Sequence, residues 1–223
     1  MKAGLAVSVV AVVLAGCSSA ATPSVREGAL RYVALGDSYT IGTSVSAAES
    51  WPSQLAARVP GLQLVANLGV NGFTSRDLID EELPALAGLH PEFMILMIGV
   101  NDVVQGVSEA TYRANVERIL DALLSYLTAD RLLCVATPDY TVTPQGAAFG
   151  SPDQQRAGIA RVNVLLGEAC AARRIRFVPE IFVISQAAAT DLSLVAGDGL
   201  HPSGSQYARW IDAIQPAVEA LLP

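Results

Sequence analysis

Apolar and polar positions alternate along this chain in two kinds of run. Short, almost continuous apolar stretches occupy 30–36 (LRYVALG), 62–69 (LQLVANLG), 92–99 (EFMILMIG), 130–138 (DRLLCVATP) and 175–180 (IRFVPE). Their length and composition predict strands. The third has no polar residue from Phe93 to Ile98, the pattern of a strand covered on both faces. Between these runs lie longer stretches with apolar residues three and four positions apart, at 49–59, 75–89, 108–127, 154–174 and 204–222, which predict helices. Pro84 is expected to break or kink the second of them. Ser108 with Thr111 marks the start of the third as an imperfect capping box, because no acid stands at its third position. Residues 139–153 are rich in turn formers and read as a loop. Repeated strand–helix alternation, with no internal repeat, predicts one α/β domain built on a mainly parallel sheet.

Parallel sheets place ligand sites at the carboxyl ends of their strands. Polar stretches occur where that rule requires them: GDS at 36–38, NLGVNGFTS at 67–75, GVND at 99–102 and DGLHPSG at 198–204. The chain has two histidines. His90 stands ahead of a strand, at the opposite end of the sheet, and reads as structural or surface. His201 follows Asp198 by three residues in a Gly- and Pro-containing turn. From spacing alone this is either an ordinary polar turn or the base-and-orienter half of a catalytic triad. Ser38 alone is either a turn or cap residue or a nucleophile, and the two are compatible. A serine at a helix start keeps its backbone N–H free, since the first turn of a helix leaves donors unpaired. Asp37 is expected to bond locally within the turn, and Asp102 to hold its loop.

Taken in order, GDSYTIG with Ser38, NGFTS with Gly72, GVND with Asn101, and DGLHP with Asp198 and His201 resemble the SGNH, or GDSL-type, hydrolase family. The four blocks span residues 32–204. The resemblance implies a flavodoxin-like three-layer α/β/α sandwich with a mainly parallel five-stranded sheet. It implies Ser38 as nucleophile, His201 as base and Asp198 as orienter. The oxyanion hole would comprise the backbone N–H groups of Ser38 and Gly72 and the side chain of Asn101. No metal or cofactor is implied. The activity implied is cleavage of carboxylic esters through an acyl-enzyme, on short- to medium-chain acyl esters, lysophospholipids or thioesters. An O-acetyl esterase acting on carbohydrate is the alternative. A non-catalytic binding module on the same scaffold is a third reading, but binding alone has no need for a general base.

Composition narrows the partners. Hydrophobic residues make up 52% of the 223 residues, enough for a sizeable core, and the net charge is −7. An acidic chain without a basic patch or a Gly-rich phosphate loop is a poor partner for nucleic acid or nucleotides. A small-molecule or lipid ester and a monomeric state are expected instead. Segments 139–146 and 182–197 could wall the substrate site. The apolar residues of the second, Phe182, Val183, Ile184, Leu192, Leu194 and Val195, read more simply as packing on the core. Trp51 and Trp210 also read as packing, and Tyr39 as lining the mouth. Short loops favour an open cleft and short-chain esters.

The first residues belong to a different kind of segment. Lys2 is followed by an apolar stretch from Ala3 to Ala15, too short for a comfortable membrane span. Residues 1–16 read as a signal peptide, and Leu14-Ala15-Gly16-Cys17 resembles the bacterial lipoprotein processing box. That resemblance implies export to the bacterial cell envelope, periplasmic or outer surface, with Cys17 lipidated as the membrane anchor. Residues 17–28 would form a polar tether and 29–223 the hydrolase domain. Cys134 and Cys170, exported with it, could form a disulfide, or remain two buried thiols. The full chain expressed in a bacterium is expected to incorporate labelled palmitate, and Cys17→Ala to incorporate none. Absence of label from the wild type would remove the anchor.

Overall fold

The computed structural model describes residues 26–222, so the expected signal peptide, Cys17 and most of the expected tether lie outside the described residues. Five strands, β1 (Leu30–Gly36), β2 (Leu62–Asn67), β3 (Phe93–Met97), β4 (Leu132–Val135) and β5 (Arg176–Val178), form one sheet in the order β2-β1-β3-β4-β5. All four neighbouring pairs are parallel. Between and after the strands run α1 (Ser38–Ile41), α2 (Trp51–Arg58), α3 (Ser75–Asp77), α4 (Leu83–Ala85), α5 (Val100–Val104), α6 (Glu109–Leu124), α7 (Pro152–Ala172), α8 (Ile181–Ser185) and α9 (Gly204–Glu219).

The sheet sorts its side chains by the period of two that a strand imposes. Tyr32 and Ala34 of β1, Phe93, Ile95 and Met97 of β3, and Leu133 and Val135 of β4 face one core. There they meet Trp51 and Leu55 of α2 and Tyr207, Trp210, Ile211 and Ile214 of α9. Val33, Leu35, Met94, Leu96, Leu132 and Cys134 face the other core, built with α6, α7 and the segment around Leu78 and Leu86. The result is the expected three-layer α/β/α sandwich. Trp51 and Trp210 are fully buried, as packing residues should be.

The chain departs from the sequence expectation in several elements. The helix expected over 75–89 is divided: α3, a π-helical turn Leu78–Glu82, α4 and a 3-10 turn Leu86–Gly88. Pro84 lacks an N–H and crowds the carbonyl four residues back, so the turn before it widens, and Leu83 N–H bonds the Leu78 carbonyl instead. The fourth strand is confined to Leu132–Val135, preceded by a 3-10 turn Ala129–Arg131. The third strand stops at Met97, and α5 begins where GVND was read only as a loop. Ser108 caps α6 by accepting from Thr111 N–H, at 3.1 Å.

The strand order puts β2 on one side of β1 and β3 on the other, a switch point whose carboxyl ends open a crevice. Gly36 sits there, opposite Met97 in the register. Its φ is +152°, and a Cβ on it would lie 2.1 Å from the Met97 carbonyl oxygen and 2.4 Å from Thr40 Oγ1. Both the conformation and the space demand glycine. Gly36→Ala should therefore lose on the order of 3 kcal/mol of stability, from backbone strain and overpacking combined. Urea unfolding followed by circular dichroism measures it. A loss below about 1 kcal/mol would show that the β1–β3 junction relaxes freely.

Candidate active site

β1 delivers Ser38 into a tight corner. Asp37 caps α1, its Oδ1 accepting from Tyr39 N–H at 3.0 Å, while its carbonyl accepts from Thr40 and Ile41. These bonds hold the corner and leave the Ser38 N–H without an acceptor among the described residues. The helix closes after one turn: the Ser38 carbonyl accepts from both Gly42 N–H and Thr43 N–H at 3.1 Å. Asp37 thus bonds locally, as expected.

The loop after β2 carries Gly72 with φ +82° and nothing within 4 Å of a notional Cβ, so conformation rather than space calls for glycine there. The Gly72 N–H has no acceptor among the described residues, and its carbonyl accepts from Gln105 Nε2 at 3.0 Å. Asn101 stands in the first turn of α5 and donates one side-chain N–H to the Phe73 carbonyl at 3.0 Å. That bond fixes the plane of the amide and leaves its second N–H free to serve the cleft. Asp102, buried, accepts from Ser75 N–H at 2.8 Å and Ser75 Oγ at 2.5 Å. It holds the Gly72 loop against α5, the role its position suggested.

Asp198 and His201 share a turn closed at its base by a bridge between Val195 and Pro202 and by the bond from Ala196 N–H to the His201 carbonyl, 2.7 Å. Asp198 Oδ2 lies 2.6 Å from His201 Nδ1. Asp198 Oδ1 accepts from Leu200 N–H at 2.9 Å and His201 N–H at 3.0 Å. Oδ2 also accepts from Ser44 Oγ at 2.7 Å. Partial burial opposes the charge on Asp198. The bonds from Ser44, from His201 and from the two backbone N–H groups outweigh it, and hold the carboxyl well below the usual carboxylate range.

Ser38, Gly72, Asn101 and His201, drawn from four separate stretches of chain, line one cleft of about 190 Å³. Tyr39, Asn71, Val100, Val104, Tyr140, Phe149 and Leu200 complete it. No hydrogen bond joins Ser38 to His201 directly; the Tyr39 ring lies 5.2 Å from the imidazole, centroid to centroid. Tyr39 is buried, so it packs beneath the histidine as well as lining the cleft. Of the two expected walls, 139–146 contributes Tyr140, whereas 182–197 contributes nothing to this cleft. Phe182 and Ile184 pack on the core, Leu194 is buried, and Val183 and Leu192 point to solvent. α5 and Phe149 supply the apolar wall instead. His90 precedes β3, with its carbonyl accepting from Arg31 Nε, remote from the cleft in the fold. Cys134 and Cys170 are buried free thiols in the same core. Among the described residues no group of three or more His, Cys, Asp or Glu is arranged to hold a metal ion, and no helix is long and apolar enough to cross a membrane.

Residues 34–209 match the GDSL-like lipase/acylhydrolase family. The chain belongs to that family. The match spans most of the chain and includes every residue of the cleft, and it makes the protein a GDSL-type serine hydrolase of carboxylic esters. Solved structures agree with this chain in fold. A protein named TesA is 20% identical, with a TM-score of 0.66, and 86% of this chain covers 99% of that one. A lipase/acylhydrolase from Enterococcus faecalis is 17% identical, with a TM-score of 0.68 and coverage of 87% and 97%. A single-residue variant of the acetyl xylan esterase Axe2 from Geobacillus stearothermophilus is 17% identical, with a TM-score of 0.66 and coverage of 86% and 95%. No curated protein matches the sequence.

Sequence reasoning missed an acid beneath this GDSL-type site. Glu82, buried, accepts from Gly36 N–H at 3.0 Å. Its other oxygen has no partner among the described residues. Burial pushes its pKa up to about 9, with the nearby charge of Asp37 adding to the rise. Folded Glu82 therefore keeps a proton that the unfolded chain releases above its ordinary value of 4.5. More protons bound in the folded state means stability falls as pH rises across that window. Glu82→Gln keeps an acceptor for Gly36 and has no proton to hold. Between pH 5 and pH 8 the urea midpoint of the wild type should fall further than that of Glu82→Gln. Parallel curves would show that Glu82 is ionised in the folded state.

Proposed function

We propose that the protein hydrolyses short- to medium-chain acyl esters, with Ser38, His201 and Asp198 as its catalytic triad. The observation that carries this reading is the convergence on one cleft of Ser38, Gly72, Asn101 and His201, with Asp198 on the far nitrogen of the imidazole. Ser38 Oγ attacks the ester carbonyl carbon as its proton passes to His201 Nε2. The carbonyl π pair moves to oxygen, and Asp198 stabilises the imidazolium so formed. Collapse of the tetrahedral intermediate breaks the bond to the leaving alcohol, which takes the proton from His201. Water activated by the same imidazole then repeats the steps on the acyl-enzyme and releases the acid. The unpaired N–H groups of Ser38 and Gly72 and the free N–H of Asn101 serve the oxyanion. Each such donor contributes about 3 kcal/mol in comparable sites.

The cleft supports a modest, uncharged acyl group. At about 190 Å³ it is smaller than the pockets that enclose drug-sized ligands. Its wall of Val100, Val104, Phe149 and Leu200 offers no cation to an anionic head group, and among the described residues His201 is the only basic one lining it. The signal-like residues 1–16 and the lipoprotein-like Cys17 support an enzyme that works outside the cytoplasm, tethered by lipid.

A fluorophosphonate probe should label the wild type and not Ser38→Ala. On p-nitrophenyl acetate, Ser38→Ala and His201→Ala should lose nearly all turnover, and Asn101→Ala should lose about a hundredfold in kcat with little change in KM. Across a p-nitrophenyl series, kcat/KM should peak at short to medium chains. Higher kcat/KM on an acetylated sugar than on every member of that series would replace the acyl-ester reading with a carbohydrate O-acetyl esterase. An unlabelled, inactive wild type would leave a binding module.

A further inference from the structure

Asp198 receives four hydrogen bonds, and their origins differ. Three come from its own turn, from the Leu200 and His201 N–H groups and the His201 ring. The fourth comes from Ser44, 154 residues away in sequence. It is the one bond among the described residues that ties the carboxylate to the part of the chain bearing Ser38. Ser44 is itself built into that part. The Ser38 carbonyl accepts from Thr43 N–H, the residue just before it, and Gly42 ends the helix in the left-handed region. Thr43 reaches the other way, its Oγ1 donating to Asn71 Oδ1, next to Gly72. Two adjacent hydroxyls thus connect the nucleophile's corner to the oxyanion loop on one side and to the acid–base turn on the other.

The backbone at Ser44 adds an independent observation. Its φ is +67°, a left-handed conformation that residues other than Gly, Asn and Asp seldom adopt. Glycine would take it without strain, as it does two residues earlier at Gly42. What serine has and glycine lacks is the hydroxyl, and here that hydroxyl is spent on Asp198. Strained conformations of this kind cluster where surrounding structure holds a working geometry in place.

We infer that Ser44 is a positioning residue for the triad: through its bond to Asp198 Oδ2 it registers the acid–base turn, and with it His201, against Ser38. This rests on the triad reading above. Ser44 touches no reacting atom; it acts only through Asp198. Small displacements of a general base are costly in rate, so loss of the hydroxyl should appear in kcat rather than in KM.

The test is a double-mutant cycle on the full chain with p-nitrophenyl acetate, with kcat taken per active site titrated by fluorophosphonate and folding checked by circular dichroism. Ser44→Gly removes the hydroxyl and relaxes the backbone; Ser44→Ala removes the hydroxyl and keeps the strain. Each should lower kcat about tenfold with KM unchanged within about twofold. In an Asp198→Ala background, whose residual turnover is measured first, adding either substitution should change kcat by less than about twofold. An equal loss in both backgrounds would overturn the inference, because Ser44 would then act by another route. So would wild-type kcat in both single variants while Ser38→Ala and His201→Ala are inactive. A loss in Ser44→Ala restored in Ser44→Gly would also overturn it, making the effect one of backbone conformation. Activity retained by Ser38→Ala would instead overturn the triad reading beneath it. If Asp198→Ala does not fold, Asp198→Asn takes its place in the cycle with the same expected outcome.

Discussion

The site depends on how closely the carboxyl ends of β1 and β3 approach each other. Gly36 is paired with Met97, and its α-carbon faces the Met97 carbonyl with no room for a side chain. From that contact the chain runs on from β1 two residues to Ser38 and from β3 four residues to Asn101. Because all neighbouring strand pairs are parallel, the loop bearing Gly72 leaves the sheet at the same edge. Three of the groups that meet in the cleft are therefore placed by the sheet's register. Only the acid–base turn comes from elsewhere, from the chain just ahead of α9.

Beneath the cleft lies a layer of buried acid. Asp37, Glu82 and Asp102 are all nearly inaccessible; Asp37 and Glu82 accept from backbone on either side of Ser38, at Tyr39 and Gly36, and Asp102 accepts from Ser75 N–H beyond the Gly72 loop. Burial raises the pKa of all three, that of Asp37 to about 7, and the Asp102 charge adds to the rise at Asp37. These groups compete for few charges in a small volume, and burial opposes the charged form of each. Asp198 is the opposite case. Four donors favour its ionised form, the state the proposed triad would require of it. The same residue type thus has its charge opposed by burial in one place and held by donors in another.

Much of this was legible in the sequence, for identifiable reasons. The strands announced themselves because a sheet covered on both faces needs unbroken apolar runs, as Phe93–Ile98 shows. Ser38 and Asn101 stood out because polar residues directly after such runs have few structural duties, and Asp198 and His201 by their three-residue spacing in a turn ahead of the last helix. Other features were hidden. α5 follows β3 with only Ile98 and Gly99 between and is five residues long, too short to show a helical period, so GVND read only as the loop after the strand. Glu82 sits in a segment patterned as an amphipathic helix, where an acid reads as solvent-facing; the π-helical turn rotates it inward. Ser44 looked like any loop serine, since its partner is 154 residues distant and its φ leaves no mark on composition. Phe149 lay in a loop whose path to the cleft no periodicity encodes.

The closed turn around Asp198 and His201 has a consequence for how activity arises as the chain folds. Its bonds span two to ten residues, from Ala196 to His201, from Asp198 to Leu200, and from Ser203 to Leu194 and to Ser193. Loops so short cost little entropy to close, so acid and base can find each other with little help from the sheet. Ser38 lies far earlier in the chain and, on the proposed triad, joins them only through a long-range closure of the fold. On the proposed triad, the hydrolase would assemble its proton-transfer pair locally and its bond-making atom at long range, so the return of turnover during refolding would report the meeting of distant segments rather than formation of the turn.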